Sequence, residues 1–195
     1  TGPQYGEFGG AVSFFDINKQ ELIYTKRNAV KNHTLMSVCF DHNNDNYVYI
    51  GTYANGENTS IELNEDAHIV KWDINSKNAI FDVILEPGVW KAIDVVSSEN
   101  GLYAVSSAAH LFKLNPTTGE IINKNFKDEI IDIVIDNKGD LYGISRSSLY
   151  LINKDNLFAE VIKDGFKSLD KLTLDKKSGN LYFFDNTNLI EYKIK

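Results

Sequence analysis

Apolar and polar residues alternate along this chain in short runs, and clusters of Asn, Asp, Gly and Ser cut the runs apart. A period of two bounded by turn formers predicts half-buried β-strands joined by tight turns. One phrase recurs, a polar turn followed by a hydrophobic residue and a tyrosine: Asn46-Tyr47-Val48-Tyr49, Gly101-Leu102-Tyr103, Asp140-Leu141-Tyr142 and Asn180-Leu181-Tyr182. The tyrosines at 49, 103, 142 and 182 are spaced by 54, 39 and 40 residues. A fixed period near 40 marks stacked supersecondary units, each too small to bury its own apolar face alone.

Each period divides into four strands, named a to d from the inside outwards. The second complete unit places them at 90–96, 102–106, 110–114 and 121–126, and the third at 130–135, 141–145, 149–152 and 159–163. Two landmarks support the register. An asparagine opens the c–d turn at Asn18, Asn75, Asn115 and Asn153, and the a–b turn carries Asp41, Ser97, Asp136 and Asp175. Short polar side chains suit both places because they hydrogen-bond the local backbone and Asn tolerates left-handed geometry. The stretch Asp136-Asn137-Lys138-Gly139-Asp140 has a superficial likeness to a calcium loop. A turn is the better reading, because the bidentate glutamate of an EF-hand is missing and a strand begins at once. The fold class is all-β, a β-propeller of four-stranded antiparallel blades with about four blades in this chain.

The first complete unit breaks the rhythm. Twenty residues separate Tyr49 from Ile69, against eight from Tyr103 to Leu111 and seven from Tyr142 to Leu149. The extra residues form a polar, acidic loop, 55–66, in the b–c connection. Insertions confined to one face of a repeat architecture often mark the binding face. The ends are out of phase as well. Residues 11–17 and 21–27 read as strands c and d, whereas 169–174, 181–184 and 189–194 read as a, b and c, giving seventeen strands in all. The chain is read as one propeller domain, 1–195, and three arrangements follow: closure on itself with 21–27 as the missing d strand, the C-terminal part of a larger propeller, or a ring of two copies. The second is preferred, since the spare strand c has no place in a closed four-bladed ring and the chain opens Thr1-Gly2-Pro3.

Composition narrows the function. A formal charge of −7 with only Arg27 and Arg146 as arginines argues against a surface that tracks nucleic-acid phosphates. No apolar run approaches the roughly 20 residues of a membrane span. Cys39 is the single cysteine and lies in Met36-Ser37-Val38-Cys39-Phe40, where a buried small hydrophobe is expected and a disulfide framework is excluded.

The phrases Asp136-Asn137-Lys138-Gly139-Asp140-Leu141-Tyr142 and Asp175-Lys176-Lys177-Ser178-Gly179-Asn180-Leu181-Tyr182, with Asn115-Pro116-Thr117-Thr118-Gly119-Glu120, resemble the repeats of NHL, YVTN and quinoprotein-like propellers. The segment 5–16 resembles stretches in propeller regions of large bacterial surface or polysaccharide-processing proteins. The resemblance implies a fold and not an activity, because such propellers include lyases, lactonases, dehydrogenases and plain binding modules. The channel-facing calcium ligands of the lactonases, the histidine and acid of the streptogramin-lyase type and the tryptophan-rich quinoprotein motifs have no recognisable counterpart here.

Propeller geometry puts the d–a and b–c connections on one face and strand a along the channel. Tyr5, Glu7, Phe8, His33, Tyr53, Glu57, Glu62, Trp90 and Lys91 are therefore the candidate ligand-binding residues of one rim, where aromatic faces stack on sugars or side chains and carboxylates accept hydroxyl protons. Asp94, Asp132, Asp170 and Lys171 on strand a are candidate channel residues, suited to a polar ligand or to a solvated wall. No catalytic set, metal site or cofactor is read from the residues. The expectation is a non-catalytic module of a secreted or cell-surface protein that binds glycan or peptide on that rim, with the remaining blades of a larger propeller or a second copy as partner. The alternative is a propeller lyase or lactonase with its site at the channel mouth.

Overall fold

The computed structural model describes residues 9–54, 65–99 and 101–194. Among these the chain forms seventeen strands and no helix. They are β1 (Ala11–Asp16), β2 (Glu21–Arg27), β3 (Thr34–Asp41), β4 (Asn44–Tyr53), β5 (His68–Asp73), β6 (Asn78–Ile84), β7 (Ala92–Ser98), β8 (Gly101–Ser106) and β9 (Leu111–Leu114). The series continues with β10 (Ile121–Asn125), β11 (Asp132–Ile135), β12 (Leu141–Ile144), β13 (Leu149–Ile152), β14 (Ala159–Lys163), β15 (Leu169–Leu174), β16 (Leu181–Asp185) and β17 (Asn188–Tyr192). Three four-stranded sheets, β3–β6, β7–β10 and β11–β14, are the expected blades, flanked by the hairpin β1–β2 and the three-stranded sheet β15–β17. Among the described strands β2 pairs with β1 alone.

The chain divides into two compact units, residues 1–92 and 93–195. In the second unit the burial principle is plain. Tyr103, Val105 and Leu111 from one sheet pack against Ile130, Ile133 and Leu141 from the next. Tyr142, Ile144 and Leu149 of that sheet in turn meet Leu169, Leu172, Leu181 and Phe183 of β15–β16. The inner strands bury both faces while the outer d strands, such as β10 and β14, stay largely exposed. Polar groups follow the same order: the Tyr103 hydroxyl donates to the Lys154 carbonyl (3.2 Å), and Asn137 Nδ2 to the Lys176 carbonyl (2.9 Å), so each sheet holds the c–d or a–b turn of its successor.

In the first unit Val48, Ile50, Val70 and Trp72 form the core, with Val12 and Phe14 of β1 packed against it. Trp72 Nε1 donates to the Tyr24 hydroxyl of β2 at 2.9 Å, and Phe14 stacks on Tyr24, which fixes the hairpin to this sheet. The tyrosine of the repeated phrase has a definite task here. Buried Tyr49 donates its hydroxyl to Asp41 Oδ2 at 2.8 Å, and Lys71 Nζ donates to the same carboxylate at 2.7 Å and to the tyrosine oxygen at 3.0 Å. Burial alone would raise the Asp41 pKa, but Lys71, the Asn43 N–H and Tyr49 outweigh it and hold the carboxyl below its ordinary value.

Two expectations are corrected. The strand 36–40 is not a buried apolar run: Val38 and Phe40 are 64% and 59% exposed, lining an open groove with residues of β1, and Cys39 is half-buried. The c–d landmark is also displaced by two residues in the early repeats. Asn115 and Asn153 accept turn N–H groups as expected, but at the equivalent turns Asp16 and Asp73 do so, with Asn18 and Asn75 as donors. The a–b aspartates act as turn residues: Asp136 Oδ1 accepts the N–H groups of Lys138 and Asp140, both at 2.8 Å.

Replacing Lys71 by alanine strands the Asp41 carboxylate in the protein interior and is expected to cost about 3–5 kcal/mol, whereas Tyr49→Phe should cost only about 1–2 kcal/mol. Urea unfolding of the two variants checks the order.

Candidate functional site at the loop rim of the first unit

The d–a connection at 28–33 is wound tightly by left-handed residues. Asn28 and Asn32 have φ of 48° and 62°, and the Asn32 N–H donates to Asn28 Oδ1 at 2.7 Å. The Gly10 N–H bonds the His33 carbonyl at 2.7 Å and the His33 N–H bonds the Val30 carbonyl at 3.0 Å. This turns the His33 ring inward, where it is 2% exposed. Its Nδ1 lies 2.8 Å from Thr52 Oγ1 and its Nε2 3.0 Å from Glu65 Oε2. The Thr52 hydroxyl already accepts the His68 N–H at 2.8 Å. Every group is satisfied when Thr52 donates to Nδ1 and Nε2–H donates to Glu65, with the imidazole neutral. Burial, and behind it the His68 ring at 4.6 Å, lower the His33 pKa against the opposing pull of Glu65. His68 goes the other way: its bond to Asp82, at 2.5 Å, outweighs burial and raises its pKa.

A hydroxyl, an imidazole and a carboxylate in series have the order of a nucleophile, base and orienting acid. Here Thr52 is fully buried and its oxygen already accepts the His68 N–H. The series instead ties the d–a loop, the end of β4 and the base of the 55–66 insertion to one another. His33 is thus part of the rim's foundation and not of its exposed surface. Sequence reading passed over Thr52, Glu65, His68 and Asp82. The available signal was the pairing of a loop histidine with an acid at the foot of the only long insertion.

The exposed part of the rim lies at the end of β4. Tyr53 and Lys91 form an isolated antiparallel bridge, the Ala54 N–H donates to the Trp90 carbonyl at 2.8 Å and the Ala67 N–H to the Val89 carbonyl at 2.6 Å. Asp66 accepts the Gly88 N–H at 2.7 Å. On this scaffold the Trp90 and Tyr53 rings lie 5.4 Å apart and Lys91 Nζ sits 5.5 Å from the Tyr53 centroid. Trp90 remains 46% exposed. The structure brings Tyr53, Trp90 and Lys91 together. Tyr5, Glu7, Phe8, Glu57 and Glu62 lie outside the described residues.

The strand-a aspartates, all in the second unit, have a different setting. Asp94 accepts the Val95 N–H (2.8 Å) through Oδ1 and the Ile133 N–H of the next sheet (3.4 Å) through Oδ2. Asp132 repeats this with the Ile133 N–H (2.9 Å) and the Leu172 N–H of the sheet after that (2.9 Å). Both carboxyls are half-buried and occupied as staples between successive inner strands. Asp170 accepts only the Lys171 N–H at 3.0 Å among the bonds described, and both residues are exposed, with Lys171 at φ 52° in a bulge of β15. Burial, and behind it Asp132, push the Asp94 carboxyl up to about 7. Among the described residues no group of three or more His, Cys, Asp and Glu is placed to hold a metal ion.

No family model matches the chain, and no curated protein does. Solved structures do: one chain of the "Crystal Structure of Mitotic Checkpoint Complex" superposes with a TM-score of 0.72 at 8% identity, over 95% of this chain and 55% of its own length. The fold is a β-propeller. This chain spans about half the length of that chain, and the NHL, YVTN and quinoprotein likeness stands on its phrases alone. At 8% identity the match speaks for architecture only.

Two pH effects follow. The neutral, depressed His33 takes up a proton more readily when unfolded, so its share of stability is lost as pH falls below about 6.5, whereas the raised His68 contributes stability that is lost as pH rises through its folded value. His68→Asn should therefore steepen the loss of stability between pH 7 and 5, and His33→Gln should flatten it, as read by denaturant midpoints. For Asp94 the folded pKa is raised, so stability is lost as pH climbs through about 7. Asp94→Asn keeps an amide in place of the protonated acid and should be more stable than the parent at pH 8, by roughly 2 kcal/mol or more, and little changed below about pH 4.

Proposed function

We propose that the chain is a non-catalytic β-propeller module that binds a protein or peptide partner through the rim of its first unit. The observation that carries this reading is the half-exposed Trp90, held by backbone bonds at Ala54 and bracketed by Tyr53 and Lys91. An aromatic residue kept rigid and wet on one face is costly to leave in water and matches the anchor residues that dominate interfaces. The neighbouring hydroxyl, imidazole and carboxylate groups are consumed in holding the loops, which favours recognition over chemistry. The similar solved chain sits in a multi-protein complex, in keeping with a partner-binding role. Peptide and glycan remain the two ligand classes the surface suits, and peptide is preferred because Lys91 beside two rings offers a cation for a carboxylate as well as a stacking face.

A displayed random-peptide library selected on the immobilised chain tests this. Selected peptides should bind Trp90→Ala at least tenfold more weakly with unchanged thermal unfolding, because Trp90 is exposed and its loss removes little core. Selection of peptides indifferent to Trp90→Ala, or binding on a glycan array that Trp90→Ala abolishes with no peptide selected, would overturn the peptide assignment.

A further inference from the structure

Beneath the rim of the first unit, His33 and His68 form a pair of rings 4.6 Å apart. Two sets of bonds run from this pair to the segment 88–91. Thr52, which meets His33 Nδ1, precedes Tyr53 in β4; Tyr53 bridges Lys91, and the Ala54 N–H donates to the Trp90 carbonyl. Glu65, which meets Nε2, opens the stretch in which Asp66 accepts the Gly88 N–H and the Ala67 N–H donates to the Val89 carbonyl. The backbone that presents Trp90 is therefore held on two sides by stretches that the buried His33 ring ties together. The charged and titratable groups around the pair are Glu65 and Asp66 from the described end of the b–c connection and Asp82 from β6, and β4 contributes the neutral Thr52.

We infer that His33 is a proton-operated latch on the rim: on acidification its ring gives up Thr52, the d–a loop lets go of the end of β4, and the segment that presents Trp90 loosens. Donor count is the reason. A neutral ring accepts the Thr52 hydroxyl proton at Nδ1 and donates Nε2–H to Glu65. A protonated ring donates from both nitrogens. Thr52 Oγ1, which already accepts the His68 N–H, would then have to accept Nδ1–H as well and turn its own proton away, and the bonds described give that proton no other acceptor. Thr52 is fully buried, so an unpaired hydroxyl there costs the closed arrangement its desolvation. Charge acts in the same direction. His68 is held towards its protonated form by Asp82, so a second imidazolium would face a like charge across 4.6 Å in a place that is 2% exposed. Glu65 opposes this, but its side chain is 44% exposed and its pull is outweighed by burial and by His68, so the closed latch disfavours the proton. Opening the d–a loop hydrates the imidazolium and releases the strain, which couples proton uptake to the rim. The effect on partner binding rests on the rim being the partner site.

The test follows the indole N–H signals of the two tryptophans, Trp72 and Trp90, in nitrogen-15 NMR spectra of the full 195-residue protein between about pH 7.5 and pH 5, assigned with Trp90→Phe. The Trp90 signal should shift or broaden with the midpoint at which the His33 ring protons titrate, while Trp72, in the core, stays in place. His33→Gln keeps an acceptor for Thr52 and a donor for Glu65 without the charge, so Trp90 should become indifferent to pH in that variant. His110→Gln, in the second unit, should keep the parent's behaviour. A Trp90 signal that ignores pH, one that still titrates in His33→Gln, or an equal change at Trp72, which would mean general loosening, overturns the latch. Peptides selected on the rim should bind about fivefold or more weakly at about pH 5 than at about pH 7.5, and equally at both in His33→Gln. Failure to select any rim peptide counts against the partner reading alone, because the indole titration decides the latch without a ligand.

Discussion

A β-sheet that is apolar on both faces cannot stand alone in water, and in the second unit successive sheets cover one another. The inner strands carry the burden. Tyr103, Val105 and Leu111 are fully buried against the following sheet, and Tyr142, Ile144 and Leu149 repeat the arrangement one step later. At about 25 cal/mol per Å² of apolar surface removed from water, this contact between successive sheets is the dominant source of stability, and hydrogen bonds mainly fix its register. The Asp94 and Asp132 staples belong to that second class. Each ties one inner strand to the first N–H groups of the next, at a repeated position.

Where apolar side chains stay uncovered, surfaces open to water arise. On β3, Val38 and Phe40 are wet and line a groove with residues of β1. The rim has a different origin. There Glu65, Asp66, Thr52 and His33 bond the described end of the b–c connection to the d–a loops, and Trp90 stays half-exposed.

Polar residues that invite a chemical reading are mostly consumed by architecture. The Thr52, His33 and Glu65 series resembles a catalytic relay in order but lies beneath the surface, and the strand-a carboxyls bond backbone amides. Such networks still make the fold sensitive to pH, since His33 and His68 are shifted in opposite directions by burial and by Asp82 respectively.

The repeated hydrophobic–Tyr phrase, its period and the out-of-phase ends were legible in the chain itself, because strand alternation and turn chemistry act over a few residues and need no distant partner. Seventeen strands and the three complete four-stranded sheets follow from that local information. The clustering of Tyr53, Trp90 and Lys91 was also within reach, through the rule that certain connections share a face. What the sequence left open depended on contacts across tens of residues. Asp41 and Lys71 are 30 positions apart and His33 and Glu65 are 32, so nothing local told a ligand-facing histidine from a buried one or a channel carboxylate from a staple. The exposure of Val38 and Phe40 is the plainest case: their strand is as apolar as any other, and only the tertiary arrangement decided which of its side chains are covered.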